Sequence, residues 1–413
     1  MISSMPGEIP PAGAGPRSAR RPVPAVNTAM PADTDVAIVG AGPIGSALAL
    51  MLARRGQRVL LLEKATFPRD KACGEGLMPA GLAILEELGI SLTPADFPRV
   101  RGVLYRLSDG PSAFGAFRAD DGTPVEGAGV RRLRLDPLLA ARAAENPLVQ
   151  FRAGVVVRGL ELGGPGVHLR TSAGDLAATW LVAADGIGSP VRRWMGWERP
   201  SRGHRLGLVG HLHHPAHGIN EIVVTILNGT ETYVAPTGPD EVLAVVLGDR
   251  GRFGGAHASL PQAYRSAITR AHPEFGFEPT GPLLSAGPFL VKPRQVADGA
   301  VFLVGDAAGF IDPLTGDGIT AGLCAAKELV RLLVENPEHA APTYRAWHAR
   351  QWRRRRLVTG LAMSLSGYPA LASRAVQGMA RNPAALESLI RVNGGGRPLS
   401  SVSPRAWLAL AGI

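Results

Sequence analysis

The spacing of apolar residues changes character along the chain, and each change predicts a different kind of element. Val36-Ala-Ile-Val39 and Arg58-Val-Leu-Leu-Leu-Glu63 carry short unbroken apolar runs, the pattern of strands buried on both faces of a parallel sheet. Residues 44–55 between them read as a helix. Ala80–Leu88 and Asp136–Glu145 also read as helices, while Val103–Leu107 and Ala113–Phe117 are short strands among Gly and Asp turns. Gln150–Val157 and Gly166–Thr171 look like the two arms of a hairpin, and Ala178–Asp185 is a third buried strand ending in an acid. From about residue 205 the texture shifts. Leu206–His211, Glu221–Leu227, Thr232–Ala235 and Val242–Leu247 alternate or run β-branched between turns, which predicts an antiparallel sheet. Ala300–Val304 returns to the buried type, a helix Gly318–Leu333 follows, and 340–391 is mostly helical. No internal repeat is evident.

These shifts predict an α/β architecture in five stretches: a leader at 1–32, the first part of a nucleotide-binding domain at 33–204, an inserted antiparallel-sheet substrate domain at 205–290, the second part of the first domain at 291–335, and a helical C-terminus at 336–413. The leader is rich in Pro, Ala, Gly and Ser and lacks the apolar core of a secretory signal, so it reads as a disordered extension. Met30 would serve as an alternative start.

Composition narrows the picture modestly. A chain of 413 residues with 46% hydrophobic and 19% charged residues is globular, with room for two or three domains. Its two cysteines, Cys73 and Cys324, rule out a disulfide framework and Cys-pair metal sites, and suit a reducing, cytoplasmic setting. The net charge of +10 comes from arginine, densest at Arg353-Arg-Arg-Arg356. No nucleic-acid motif accompanies that run and aromatics are only 5%, so no nucleic-acid partner is expected. A solvated helix face is the simpler reading; peripheral attraction to anionic lipid is the other. Leu357–Ser373 is uncharged but too short and too rich in Gly and Ser to span a bilayer. His211, His213, His214 and His217 cluster, yet no carboxylate or thiol in sequence completes a metal site, and they read as a solvated strand and turn.

Candidate chemistry begins at Gly40-x-Gly42-x-x-Gly45, directly after the first buried strand. The first glycine makes the tight turn, the second lets a pyrophosphate approach the backbone, and the third lets helix and strand pack closely. The helix that follows offers free N–H groups to the phosphates. Glu63 closes the second strand roughly 20 residues on, where a ribose-hydroxyl acceptor belongs, with Lys64 beside it. Two more strand ends carry similar punctuation, Asp185-Gly186 and Gly305-Asp306. In Gly305-Asp-Ala-Ala-Gly-Phe-Ile-Asp-Pro-Leu-Thr-Gly-Asp-Gly318, Pro313, Gly316 and Gly318 leave the backbone open to a flat ring.

Taken together, these motifs resemble the glutathione-reductase-type FAD fold, and in particular the para-hydroxybenzoate hydroxylase superfamily of flavoproteins, over about residues 33–335. The resemblance implies that Gly40, Gly42 and Gly45 hold the FAD pyrophosphate and Glu63 the adenosine ribose. It matches Arg132, in Arg132-Leu-Arg-Leu-Asp136, to the family's arginine. It implies that Asp185-Gly186 serves FAD and NAD(P)H binding, and that Asp306 bonds the ribityl or ribose region. NAD(P)H would be a co-substrate with no glycine turn of its own. Two branches differ in what the flavin then does. Hydroxylases use O2 and a flavin hydroperoxide to oxygenate an aromatic, quinone or polyketide substrate, whereas geranylgeranyl reductases saturate prenyl double bonds. Lys71-Ala-Cys-Gly-Glu-Gly76 is similar to both branches. A glycine at 309, where many aromatic hydroxylases carry histidine, leans toward the reductases; Tyr233-Val-Ala-Pro236, lacking the reductases' Trp and Phe, looks more like the hydroxylases, and monooxygenation is the first expectation. A flavin-binding protein without turnover is a further alternative. Cys73, beside Lys71, would act in proton transfer with a lowered pKa, or else pack against the flavin ring.

Overall fold

The computed structural model describes residues 34–108, 110–164, 166–201, 203–214, 219–227, 229–253, 259–394 and 399–410; the leader and His217 lie outside them. The strand Val36–Val39 sits mid-sheet, paired in parallel with Val59–Glu63 on one side and Trp180–Ala183 on the other. Val149–Ala153 extends the sheet beyond Val59–Glu63, and Val301–Leu303 extends the other side in parallel, followed by the antiparallel edge Ala297–Asp298. All the residues of Val36–Val39 and Val59–Glu63 are buried, as their unbroken apolar runs require. The helix Pro43–Ala53 is buried nearly all round, because it lies between this sheet and the helices Arg132–Ala144 and Gly318–Glu335.

The predicted hairpin pairs differently. Val149–Ala153 joins the parallel sheet, and the partner of Gly166–Thr171 is Val157–Gly163, with Gly174–Ala178 as a third antiparallel strand. Period alone could not separate these two strands, because the chain runs from one into the other with only three residues between them.

The second large sheet has seven strands, ordered Leu284–Ala286, Arg205–His213, Glu241–Asp249, Thr230–Gly238, Ile222–Leu227, Gly102–Leu107 and Ser112–Ala116. Its last two strands come from well before residue 205. Val103 pairs with Ile222 in parallel, so the sheet draws on chain from both sides of the nucleotide-binding segment. Alternate residues face opposite ways. Leu208, Val234, Ala244 and Val246 pack under Tyr264 and Ile268 of the helix Leu260–Ala271, whereas Val209, Tyr233, Val245 and Leu247 face inward. The C-terminal helices Pro369–Arg381 and Pro383–Asn393 then cover the Gly102–Ala116 edge of the sheet, and the helix Ala340–Gly367 packs against both of them. Among the described residues no helix is long and apolar enough to cross a membrane.

Candidate functional site

The ends of three parallel strands open on a cleft walled by Gly42, Arg132, Gly186, Asp306, Pro313 and Gly318 among others. The glycine turn shows why those residues are glycines. Gly40 has φ +103°, and a Cβ on Gly45 would stand 1.8 Å from the Gly40 carbonyl oxygen. These two shape the turn and lie behind the cleft surface. Gly42 differs: a Cβ there would meet nothing closer than Arg132 Nη2 at 3.5 Å, so its backbone fronts open space. The helix Pro43–Ala53 has no side-chain cap, which leaves its first N–H groups for a bound anion.

Arginines surround that turn. Arg132 donates to both oxygens of Asp136, Nε to Oδ1 at 2.6 Å and Nη2 to Oδ2 at 2.7 Å. Burial opposes its charge, but the Asp136 carboxylate overrides this and holds Arg132 well above its ordinary pKa. Arg69 donates to the same Asp136 and to Glu63. Glu63 also accepts from Ala41 N at 3.0 Å and Ala65 N at 3.1 Å, so it braces the turn. Lys64 is exposed beyond it and does not line the cleft.

Asp185 also turns away. Its Oδ2 accepts from Val191 N at 3.3 Å at the start of the short helix Pro190–Trp194, and burial raises its pKa. It is the backbone of Gly186, at φ +83°, that faces the cleft; a Cβ there would stand 2.8 Å from Lys71 Nζ. Lys71 reaches into the cleft, open to solvent yet walled by protein, and that desolvation with nearby Arg132 lowers its pKa.

Cys73 lines the cleft as expected, but its thiol goes the opposite way from a reactive one. Burial raises its pKa, Arg132 only partly offsetting it, and the half-buried side chain packs against the core of the parallel sheet. The next carboxylate, Glu75, corrects the histidine reading. His211 is buried, its Nε2 2.8 Å from Glu75 Oε2, and Arg131 ties Glu75 to Asp70 and Glu241. His213 is exposed and His214 is half-buried against Phe275. Among the described residues no metal-binding cluster forms.

The segment Gly305–Gly318 forms the opposite wall. Asp306, Pro313, Gly316 and Gly318 line the cleft, and Gly316 is left-handed at φ +64° with a half-turn Pro313–Thr315 before it. Asp312 holds this loop, accepting from Leu314 N and from Arg205 Nε at 2.9 Å, while Arg205 also binds Glu231. Gly309 has a local explanation: it sits at φ +128°, and a Cβ would approach Trp352 Cζ3 to 2.6 Å. Packing against Trp352 excludes any side chain there, so its being glycine says nothing about the reaction.

The arginine run is not one solvated face. Arg353 and Arg356 are exposed, but Arg355 turns inward, lines the cleft, and donates to Asp317 at 2.8 Å. The sequence marks Arg355 only as part of the basic run and Asp317 only as part of the glycine loop, since only the fold brings the helix Ala340–Gly367 against the Gly318 helix.

Beside the cleft lies a second pocket between the seven-stranded sheet and the C-terminal helices. Its walls are largely aliphatic, including Val103, Val224, Leu361, Leu365, Val376 and Met379. Tyr233 and Gly316 belong to both walls. The Tyr233 hydroxyl is buried without a hydrogen-bond partner, and burial, reinforced by Cys73 and Glu75, raises its pKa. It therefore stays a neutral donor.

An open glycine turn at an uncapped helix, cleft arginines and a bare glycine loop define a dinucleotide-binding flavoprotein site, and the residues present fit FAD. Comparison with known proteins is specific: the family described as "FAD binding domain" matches residues 33–345. The chain belongs to this family and is an FAD-dependent oxidoreductase. It is 31% identical to the menaquinone reductase of Mycobacterium tuberculosis over 323 residues, covering 72% of this chain and 76% of that protein. It is 27% identical to the squalene monooxygenase of Mus musculus over 366 residues, covering 82% and 63%. Among solved structures, a flavoprotein/dehydrogenase from Cytophaga hutchinsonii shares the fold with a TM-score of 0.77 at 20% identity, covering 88% and 92%.

Proposed function

We propose that this flavoenzyme is an NAD(P)H-using monooxygenase that hydroxylates an aromatic or quinone head group bearing a long hydrocarbon tail. The observation that carries the reading is the aliphatic cavity meeting the cofactor cleft at Tyr233 and Gly316. Cavities lined this way bind by apolar area, about 0.8 kcal/mol per buried methylene, and a tail of several carbons would gain most of its affinity there. FAD, when bound, would accept a hydride from NAD(P)H and activate O2. The chain's residues do the rest. Gly42 and the N-terminus of Pro43–Ala53 would hold the pyrophosphate, with Asp306 at the ribityl region and Pro313–Gly318 against the ring. The aliphatic walls exclude water from the reacting carbon. Tyr233 Oη, a donor without a protein acceptor, would bond the oxygen of the substrate's head group and fix which carbon faces the cofactor.

A second reading, saturation of a prenyl double bond, is favoured by the 31% identity to a menaquinone reductase. It uses the same cavity but places the tail, rather than the head, at the flavin. Aerobic turnover with NADPH on a tailed phenol, a menaquinone and a prenyl lipid, followed by product mass, separates the two. Gain of one oxygen is the expected result. Gain of two hydrogens selects the second reading, and no change with any tailed substrate overturns both.

A further inference from the structure

We propose that the outer face of the helices Ala340–Gly367 and Pro369–Arg381 is a docking surface for an anionic phospholipid bilayer. The charge distribution is the first observation. Residues 339–413 contain eleven arginines, no lysine and a single acid, Glu387, a net +10; the whole chain is also +10, so residues 1–338 balance to zero. The charge is thus unevenly distributed along the chain, its entire excess falling in residues 339–413.

The second observation is where the exposed residues fall. Arg350, Arg353, Arg356 and Leu357 are all exposed, and steps of three and four residues put them on one helix face. Leu357 is 63% exposed, Tyr368 at the turn between the helices 66%, and Leu371 41%. Arg374 and Arg381 are exposed further along the second helix. Large apolar side chains standing in water beside arginines, with no acid among them, match an interfacial helix. The apolar groups enter the acyl boundary while the guanidinium groups reach phosphates. Nucleic acid would use the arginines but leave Leu357 and Leu371 without a role.

The third observation ties the surface to the site. The inner faces of the same two helices supply Leu361, Leu365, Ala372 and Val376 to the aliphatic cavity. A docked molecule would hold that cavity one helix thickness from the lipid phase, where a tailed substrate resides. In this respect the inference rests on the lipid-substrate reading, but vesicle binding is read without turnover, so either can fail alone.

The test is co-sedimentation of the full chain, flavin-loaded, with vesicles of phosphatidylcholine alone or mixed with phosphatidylglycerol. Binding only to the mixed vesicles, weakening with salt, is expected. The double variant Arg353→Glu/Arg356→Glu should bind at least roughly 25-fold more weakly, at roughly fivefold for each arginine removed. Leu357→Ser/Tyr368→Ser should keep low-salt binding and lose the part that resists salt. All four side chains are exposed or at a surface turn, so flavin content should stay unchanged in both variants. Equal binding to both vesicle types, or charge-reversed protein that binds as wild type does, would overturn the proposal. Displacement from vesicles by single-stranded RNA at equal charge concentration would overturn it in favour of a nucleic-acid surface.

Discussion

The cofactor cleft is walled by backbone and charge, and the cavity beside it by aliphatic side chains, although they share Tyr233 and Gly316. In the cleft each position admits few residues. Gly40 and Gly45 are fixed by sterics, Arg132 by the buried carboxylate it must neutralise, Gly309 by Trp352. In the cavity, Val224, Leu361 or Met379 could each be another aliphatic of similar volume without loss of fold. One region suits a single cofactor through its geometry; the other, on the proposed reading, would recognise a class of shapes. The contrast implies that substitutions in the cleft cost folding or cofactor, and substitutions in the cavity cost choice of substrate.

The sharpest break lies inside the glycine turn itself. Gly45→Val would drive a side chain into the Gly40 carbonyl, and no soluble flavin-bound protein is expected. Gly42→Ala meets only ordinary contacts and should fold with wild-type thermal stability while holding FAD about tenfold more weakly, the worth of one hydrogen bond lengthened by the methyl. Flavin absorbance after gel filtration reads both. A yellow, folded Gly45→Val protein would refute the steric account. Arg132→Met comes next. It strips Asp136, fully buried, of its bidentate partner and should cost about 3–5 kcal/mol in denaturant unfolding, although Arg69 remains on the same carboxylate.

A histidine on each side, His272 buried and His348 half-buried, tests whether the two regions respond alike to acid. His272 packs behind the seven-stranded sheet, where burial and Arg106 hold its pKa down at about 4. Arg106 Nη2 lies 3.0 Å from its Nδ1 and Thr232 Oγ1 2.7 Å from its Nε2, so the neutral ring accepts from the arginine and donates to the threonine. His348, against the cofactor loop, is also lowered to about 4 by burial and Arg355. For a group whose folded pKa lies below its unfolded value, stability is full above pH about 6.5 and falls as pH drops toward 4, because only the unfolded chain takes the proton. Each histidine should remove about 1.4 kcal/mol per pH unit within that window. His272→Gln and His348→Gln should each flatten the profile by half; a wild-type profile flat from pH 6.5 to 4 would contradict both.

The same contrast explains what could be read from the chain. Gly40, Gly42, Arg132, Gly186, Asp306, Pro313, Gly316 and Gly318 were legible because backbone geometry and paired charge leave fixed spacings in sequence. Asp185 carried the right motif, but its carboxylate caps a helix while its neighbour Gly186 faces the cleft. Lys64 followed Glu63 in sequence and points to solvent. The cavity left no signature at all. Its walls come from Gly102–Leu107, Ile222–Leu227 and three C-terminal helices, and an aliphatic residue facing a void has the same local pattern as one facing a core. Arg355 was visible only as part of a basic run and Tyr233 only as part of a motif, and their places in the site could not be read for a related reason: each acts across a contact between distant segments.

Filling the cavity should therefore change selectivity and little else. Ala362→Trp projects an indole into the space and should raise KM for a long-tailed substrate about ten- to a hundredfold, the loss of two or three buried methylenes. KM for the head group without its tail, and flavin content, should not move. An equal rise for both substrates would mean that the cavity is not where the tail lies.

The smallest predicted effect separates the two regions most finely, because it falls on the residue they share. In Tyr233→Phe the lost hydroxyl has no protein partner, and an unsatisfied buried donor costs about 1–3 kcal/mol, so the variant should be as stable as wild type or slightly more so. A hydroxyl that served only the fold would give the opposite sign. If Oη instead meets the substrate's oxygen, kcat with a tailed phenol should fall about tenfold, one hydrogen bond's worth, while KM for the tail stays the same. Saturation of an isolated double bond takes up a proton beside the flavin's hydride, and if Oη supplies that proton the loss of kcat falls on the prenyl lipid instead of the phenol. A single substitution, read as stability and as kcat with each substrate, thus tells whether the junction between cleft and cavity belongs to packing, to hydroxylation of a head group, or to reduction of a tail.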